Sequence, residues 1–532
     1  METRRLLIVV AAVVLIRLPF LDHPLQGDDP YYLAIARNVP VDPLHPMQMG
    51  YTFQGQRVSM AGHPHPPLNA YVLALLLRTF GDVRETWFHL AYLLFSVIAA
   101  LAMYRLARRF TQRPLLATAL FVSVPAFVVS GNSLESDLPF LALCLAGFAF
   151  YFDGRQRLAA VSLALAAMSA YQAVFAVPML AHHTWHHRRR SKTAWLAVLA
   201  VPLTLGVWQL FQAVTVGEPP AGVLAGYLNS FGLLALTKKL RSAVALTGHL
   251  GWLAHPLALP AAWLVKDVLL WVGLAAGLAL VAGWLRAIWH DRRGDDGLLA
   301  TWGLVFFGGA VAVFFAGSAR YLLPLTPAVI FTVLRALPRP ALLWPVAVVN
   351  LALGMTMASA SYHHWDQYRR FAARLAPLVG ERRLWSNAEW GLRYYLERIG
   401  GEPLERDQPV YPGSVVVTSA MAGPVPFSTG GGARREVLRA ELVSRRPLRL
   451  FGLGSRSAYS SAEHGLLPFD PGHGLLDLVT AELIGVPEPR LSYLRMNDPA
   501  AAGQLLSGFY AVEDNSWRWM AEQGVALLQA PA

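Results

Sequence analysis

Cysteine is nearly absent from this chain of 532 residues, with Cys144 as its single example. One thiol excludes a disulfide framework and a cysteine-based metal site within the chain. Charged residues are also scarce, at 15% against about 25% in soluble proteins. Hydrophobic residues reach 55%, and apolar runs of roughly 17–25 residues, long enough to cross a bilayer, recur. The composition predicts a polytopic helical membrane protein.

Other absences narrow the interpretation further. The N-terminal apolar segment ends in Arg-Leu-Pro-Phe-Leu at positions 17–21, which lacks the small-x-small site where a signal peptide is cleaved. We therefore interpret this segment as a retained first span. The glycine-rich stretch at 428–432 lacks the lysine and hydroxyl of a P-loop, which favours a plain loop. No internal repeat is evident.

Hydropathy predicts eleven spans, a number uncertain by two because several of them are short. They lie near residues 6–21, 85–106, 114–130, 136–152, 157–170, 172–187, 194–213, 264–288, 298–316, 320–337 and 341–358.

The net charge of +12 does not indicate nucleic-acid binding, because lysine and arginine fall in short loops between apolar runs. That distribution follows the positive-inside rule and places these loops in the cytoplasm. The N-terminus is then cytoplasmic, and an odd span count places the C-terminus outside. The cluster at 182–190 (His-His-Thr-Trp-His-His-Arg-Arg-Arg) resembles a metal motif. Its cytoplasmic position favours a loop that faces lipid headgroups.

Two domains are predicted. Residues 1–360 form the transmembrane domain, with long outer loops at 22–84 and 214–262, and residues 361–532 form a soluble outer α/β domain. Helices at 30–39 and 68–80 are expected along the membrane surface. The apolar stretches of 214–262 fit interfacial helices, re-entrant helices or an extra pair of spans. In the outer domain we predict strands at 383–386, 414–419 and 448–453, and a helix at 388–399 that ends at two glycines.

Asp28 and Asp29 stand out directly after the first span. Ionisable groups near lipid are costly to desolvate and usually mark a functional site. One carboxylate can accept a proton from an attacking hydroxyl while its neighbour positions it or raises its pKa. The alternative is that the pair caps a helix beginning near Pro30.

Further candidates follow in the outer loops. His63 and His65 alternate with prolines, which fits a phosphate donor, a base or a metal ligand, but also a rigid turn. Their spacing matches no recognised metal motif. Glu135 and Asp137 lie in a short outer loop, as site residues or as helix caps. Arg320, before Tyr321, can hold a phosphate leaving group or extend to water.

These elements in this order resemble the GT-C membrane glycosyltransferases. The nearest groups are the dolichyl-phosphate-mannose-protein mannosyltransferase-like enzymes (glycosyltransferase family 39) and the lipid A aminoarabinose transferases. The resemblance covers roughly residues 1–360. It is carried by Asp28-Asp29-Pro30 with Tyr32, His65-Pro66-Pro67-Leu68, Asp137, and Arg320-Tyr321 with Leu323-Pro324 and Pro327.

The resemblance implies inverting transfer of a sugar from a polyprenyl-phosphate donor to a hydroxyl of a protein, lipid or glycan. It assigns the base to Asp28 and supporting contacts to Asp29 and Asp137. His65 stands where relatives have a lysine that contacts the donor phosphate, and Arg320 with Tyr321 completes that phosphate site. Expected at the acceptor or in support of the site are Tyr32, His63, Glu135 and Gln172.

This chain also departs from its relatives. Tyr31 replaces an arginine, and Ala170-Tyr171-Gln172 replaces a turn that often carries Thr-Lys. With His65, three basic positions are altered, so the identity of the sugar does not carry over. No cofactor is assigned, and a divalent metal is left open.

A bacterial inner membrane with a periplasmic active site follows from the same resemblance. The main alternative is a transporter or flippase of lipid-linked saccharides, although transporters often show repeats and midplane charges that this sequence lacks. A second alternative is a membrane-anchored binding protein whose outer domain alone is active.

Overall fold

A computed structural model describes residues 2–229, 234–254 and 266–486. The predictions for residues 255–262 of the second outer loop and for residues 487–532 of the outer domain lie outside the described residues. The chain divides into two compact units. The first comprises Met1–Gly50, Ser59–Asp366 and Val443–Leu476, and the second comprises Tyr51–Val58, Gln367–Leu442 and Asp477–Ala532.

The helices that lie in the first unit or begin there are α1 Glu2–Arg17, α2 Asp29–Asn38, α3 Leu68–Phe80, α4 Glu85–Phe110, α5 Pro114–Val122, α6 Pro125–Ser130, α7 Asp137–Phe152, α8 Gln156–Ser169, α9 Ala176–His187, α10 Lys192–Val216, α11 Pro220–Asn229, α12 Leu234–Ala254, α13 Lys266–His290, α14 Asp295–Val313, α15 Thr326–Ala336 and α16 Leu343–Val379. Helix α16 continues into the second unit.

The described residues include five helices that are long and apolar enough to cross a membrane: Glu85–Phe110, Lys192–Val216, Val268–His290, Asp295–Val313 and Pro340–Val379. The predicted class, a helical membrane protein with a C-terminal region of mixed α and β structure, is confirmed. The number of spans stays a prediction, because the other helices at predicted spans are shorter; α1, for example, has 16 residues.

Two predicted spans are interrupted at prolines. The span at 114–130 divides into α5 and α6, and the second helix begins at Pro125. The span at 320–337 begins as a 3-10 helix, Ala319–Leu325, which contains Pro324. Proline lacks the N–H that continues an α-helical ladder. These breaks leave irregular backbone beside the ends of α6 and α15, next to the predicted site residues.

The core of the first unit is largely aromatic and alanine-rich. The ring of Phe148 meets that of Trp302 edge to face, with centroids 5.0 Å apart. The indole of Trp302 also donates a hydrogen bond to the carbonyl of Pro324 at 3.0 Å. Burial of such rings stabilises the helical bundle, and the buried indole N–H remains hydrogen-bonded. This packing holds the 3-10 helix Ala319–Leu325 in place.

Residues 443–476 return to the first unit, where β7 (Leu448–Arg449) pairs antiparallel with β8 (Asp470–Pro471). The strand expected at 448–453 is therefore shorter than predicted. The chain turns at Gly452, whose φ of +139° suits glycine. Beyond the turn, the carbonyl of Tyr459 accepts hydrogen bonds from Ser318 Oγ at 2.9 Å and Ala319 N at 3.1 Å. The segment braces the start of the 3-10 helix.

The second unit contains most of a five-stranded sheet with the order β4-β3-β5-β9-β6. Its strands are β3 Leu384–Asn387, β4 Gly401–Pro403, β5 Val415–Ser419, β6 Arg434–Ser444 and β9 Gly474–Ile484, and α17 Trp390–Arg398 follows β3. Strand β3 runs parallel to β4 and β5, with Leu384 opposite Gly401 and Val415. Strand β9 runs antiparallel to β5.

The predicted strands at 383–386 and 414–419 correspond to β3 and β5, and the predicted helix at 388–399 corresponds to α17. Their ends agree with the observed ones to within two residues. The sequence did not reveal β6, β9 or the hairpin of β1 (Gly50–Phe53) and β2 (Gln56–Ser59). Residues 51–58 of that hairpin belong to the second unit. There, Gln54 N donates to the carboxylate of Glu389 at 2.7 Å, a contact with no local sequence signal.

Candidate active site

Asp28 is the most accessible carboxylate of the candidate site, with a side chain 38% exposed. It precedes α2, yet its side chain makes no capping hydrogen bond to that helix. Its backbone N–H donates to Oε1 of Glu135 at 3.2 Å. The capping interpretation therefore does not account for Asp28, whose carboxylate is left facing the other charged groups of the site.

Asp29 has a different environment and is fully buried. Its Oδ2 accepts from Gln26 N at 3.0 Å, and its Oδ1 accepts from Ser133 Oγ at 3.0 Å and Leu134 N at 2.8 Å. Burial raises the pKa of Asp29 to about 7, although these hydrogen bonds favour the ionised form. Asp29 ties the loop before α2 to the loop before α7, so it holds the site together.

Arg320 brings together three carboxylates from two segments. Its guanidinium lies 2.5 Å from Oε2 of Glu135, 3.4 Å from Oδ2 of Asp137 and 3.6 Å from Oδ2 of Asp28. The side chain of Glu135 is 5% exposed and that of Arg320 is 22% exposed. The structure thus places Asp28, Glu135, Asp137 and Arg320 in one cluster. This agrees with the prediction that all four lie on the same side of the membrane.

The electrostatics of this cluster favour a proton acceptor. Partial burial raises the pKa of Asp28, the charge of Arg320 opposes that shift, and the charge of Asp137 adds to it. Burial likewise raises the pKa of Glu135 well above its ordinary range, again against Arg320. A carboxylate whose pKa is shifted toward neutrality is a stronger base than a free one. Such shifts are typical of catalytic carboxylates.

The histidine pair lies against Tyr32. The hydroxyl of Tyr32 is 2.9 Å from Nδ1 of His65, and the ring of His63 meets that of Tyr32 edge to face at 5.0 Å. Burial, with the charges of Asp137 and Glu135, raises the pKa of Tyr32, so the phenol keeps its proton. In the tautomer in which the phenol donates to Nδ1, Nε2 of His65 is the N–H donor.

Both histidines are neutral at physiological pH. Burial lowers the pKa of His63 to about 4 and that of His65 well below its usual range, with a further contribution from the charge of Arg320. His65 therefore offers a neutral N–H to the site.

Gln172 and Tyr321 support the backbone of the site. The side-chain amide of Gln172 donates to the carbonyl of Tyr321 at 2.9 Å, and both residues are buried. The ring of Tyr321 stacks on Phe314 at 3.9 Å. These contacts fix the residue next to Arg320. The guanidinium carbon of Arg320 lies 5.6 Å from the centroid of the Tyr321 ring, so Tyr321 borders the charged cluster.

Sequence reasoning missed Arg17 and Asn69 as parts of this site. Asn69 donates to the carbonyl of Leu134 at 2.8 Å, and Arg17 contacts the end of α6. An arginine at the end of an apolar span was a usable signal, because buried ionisable groups near lipid are rarely accidental. Asn69 carried no comparable signal.

The second histidine cluster lies on α9. Its rings pair as His182 with His186 and His183 with His187, each with centroids 4.7 Å apart. Within the part of the chain that the structure describes, no group of three or more His, Cys, Asp or Glu side chains is arranged to hold a metal. The headgroup-facing role of this cluster stays a prediction.

Comparison with known proteins matches part of the chain to a protein family. The family model described as dolichyl-phosphate-mannose-protein mannosyltransferase matches residues 64–208. That stretch contains His65, Glu135, Asp137 and Gln172, but neither Asp28 nor Arg320. Among curated proteins, none matches this chain at a significant level.

Two solved structures of ArnT from Cupriavidus metallidurans are similar over most of their length. The one bound to undecaprenyl phosphate has a TM-score of 0.49 at 13% identity, and the apo form has 0.47 at 14%. Each alignment covers 90% of this chain and 98% of the ArnT chain. At this level the likeness assigns neither an activity nor a site. The family match over residues 64–208 confirms the resemblance to membrane glycosyltransferases that the sequence motifs predict.

Proposed function

We propose that this protein is an inverting membrane glycosyltransferase that moves one sugar from a polyprenyl-phosphate donor to an acceptor hydroxyl. The observation that carries the proposal is the cluster of Asp28, Glu135 and Asp137 around Arg320. It combines an accessible carboxylate of raised pKa with a cation suited to a phosphate. The matched family, whose description names a dolichyl-phosphate-linked sugar, supports the same donor class.

In the proposed reaction Asp28 accepts the proton of the acceptor hydroxyl as its oxygen attacks the anomeric carbon. The bond from that carbon to the phosphate oxygen breaks, and the electron pair leaves with the polyprenyl phosphate. One displacement inverts the anomeric configuration. The donor bond is already activated, so the protein must chiefly orient the acceptor, remove its proton and stabilise the leaving phosphate.

The phosphate is assigned to Arg320 and to Nε2 of His65. Arginine presents several donors in a plane and matches phosphate geometry. Three carboxylates contact this guanidinium, and a guanidinium has several N–H donors to share between them and a phosphate. Arg320 therefore supplies a positive charge for the leaving group. Neutral His65 adds a hydrogen bond rather than a second charge.

A divalent metal, which the sequence left open, is not assigned to a site. The carboxylates that would form its ligands are engaged with Arg320, so the proposed chemistry uses the guanidinium as the cation. The proposed location is the outer face of a bacterial inner membrane, with a cytoplasmic N-terminus. The prenyl chain stays in the lipid, where each CH₂ contributes about 0.8 kcal/mol. The acceptor is a protein, lipid or glycan hydroxyl.

The test uses the full chain in liposomes with polyprenyl-phosphate donors carrying a neutral hexose, an N-acetylhexosamine or an amino sugar. We expect acceptor-dependent release of polyprenyl phosphate with one of them, and a glycosidic product of inverted configuration. Movement of an intact donor across the bilayer without cleavage would overturn the proposal and favour a transporter. A product of retained configuration would overturn the inverting mechanism.

A further inference from the structure

Arg17 is a buried cation at the end of α1, with 2% of its surface exposed. Its Nη2 donates to the carbonyl of Phe127 at 2.7 Å, and its Nη1 donates to the carbonyl of Val128. The same Nη1 lies 3.5 Å from Oδ1 of Asn132. On the other side, Nε donates to Oγ of Ser96 at 3.2 Å.

The partners of this guanidinium are unusual for a buried charge. Within the described ranges, its hydrogen-bond partners are carbonyl, amide and hydroxyl oxygens, and no carboxylate forms an ion pair with it. Burying a charge without an opposite charge is costly. The carbonyls of Phe127 and Val128 belong to the last turn of α6, the negative end of the helix dipole. Arg17 therefore satisfies the C-terminal end of α6.

The loop after α6 carries this contact into the site. The carbonyl of Asn132 accepts from Nε2 of Gln26 at 3.0 Å, and the backbone N–H of Gln26 donates to Asp29. Ser133 and Leu134 donate to the same carboxylate. Glu135, which contacts Arg320, is the next residue. Hydrogen bonds to Gln26 and Asp29, together with the chain from Asn132 to Glu135, thus link Arg17 to the carboxylate cluster.

Gly131 makes room for the guanidinium. A Cβ at this position would lie 1.7 Å from Nη2 of Arg17, far inside any allowed contact. Any side chain here must displace Arg17 or the loop. The chain therefore combines a buried arginine with the one residue type that accommodates it.

We propose that Arg17 is a positioning residue that fixes the loop at 131–136 and so sets Glu135 and Asp28 against Arg320. Its structural part stands on the contacts above, and its catalytic consequence rests on the proposed function. Because a misplacement of about 1 Å can cost roughly 10²-fold in rate, the loss of Arg17 should lower kcat more than it raises the KM for the donor.

The experiment compares Arg17→Met and Gly131→Ala in the full-length protein. Gly131→Ala disturbs the guanidinium while keeping the arginine. Its matched control is Gly206→Ala, a helical glycine whose Cβ would meet nothing within 4 Å. Hydrogen–deuterium exchange of the amides at 131–136 reports the loop without any need for activity, and thermal unfolding reports global stability.

Both test variants should lose exchange protection at 131–136 while distant helices keep theirs, and kcat should fall about 10²-fold with little change in KM. Arg17→Lys should return part of the protection, because it keeps a charge but loses the planar donors. Unchanged protection at 131–136 in both test variants would overturn the proposal. If the wild type transfers no sugar but both test variants lose protection at 131–136, the result would count against the proposed function alone.

Discussion

Nη1 of Arg320 lies 2.5 Å from Oε2 of Glu135, and the two residues come from different breaks in the helical bundle. Glu135 follows the short helix α6, and Arg320 lies in the 3-10 helix before α15. An ion pair this buried survives only where its geometry is well held. Here the same guanidinium also faces Asp28 and Asp137, so one cation sets the electrostatics of three carboxylates.

Replacing Arg320 with methionine should shift the pH dependence of the reaction. A base must be deprotonated, so the rate falls as pH falls through the pKa of Asp28. Burial already raises this pKa, and Arg320 is the main opposing influence. Its loss should therefore move the acidic limb of the kcat/KM profile to higher pH and lower the rate roughly 10²–10³-fold.

The control for this prediction is Arg335→Met, which removes an arginine paired with Asp295 and Asp296 outside the site. Its profile should match that of the wild type. If the acidic limb of the kcat/KM profile of Arg320→Met matches that of the wild type, Arg320 does not influence the pKa of the base.

Asp29→Asn should destabilise the protein. Asp29 accepts three hydrogen bonds with its two oxygens. In either orientation, an asparagine would turn an NH₂ toward one of the donors. A buried donor without an acceptor costs about 1–3 kcal/mol. Chemical unfolding measures this loss, and Asp28→Asn, at an accessible position, should show little of it. Equal stability of the two variants would contradict the role assigned to Asp29.

Gly27→Ala and Gly81→Ala form a matched pair. Both glycines have positive φ, at +44° and +77°, so both substitutions carry a backbone cost of about 1–2 kcal/mol. A Cβ at Gly27 would lie 2.6 Å from Oε1 of Glu135, whereas one at Gly81 would meet nothing within 4 Å. Only Gly27→Ala should reduce sugar transfer beyond its effect on stability. Equal transfer per folded molecule by the two variants would show that Glu135 tolerates displacement.

Much of the helical architecture was predictable because apolar runs and prolines report local preferences. The helix predicted at 68–80 is observed as Leu68–Phe80, and the one predicted at 30–39 as Asp29–Asn38. The hairpin of β1 and β2 was not predicted. Its stabilising contacts, such as Gln54 to Glu389, join residues far apart in sequence. Local patterns carry no information about such pairs.

The candidate site shows the same limit. Its charged members could be selected from the sequence because charge is rare near apolar segments, and Asp28, Glu135 and Arg320 meet in the structure. The different environments of Asp28 and Asp29 could not be predicted. These environments depend on which carboxylate accepts hydrogen bonds from the backbone N–H groups of Gln26 and Leu134. The role of Arg17 likewise depends on packing against α6.

The most direct measurement compares polyprenyl-phosphate release by the wild type, Asp28→Asn and Asp42→Asn, with a donor that the wild type uses. Asp42 lies in the same loop segment as Asp28, is exposed, and pairs with His45 rather than with the site. Removal of the base should lower kcat about 10²–10⁴-fold in Asp28→Asn, and Asp42→Asn should match the wild type. Release by Asp28→Asn at the wild-type rate would contradict the central claim that Asp28 is the catalytic base.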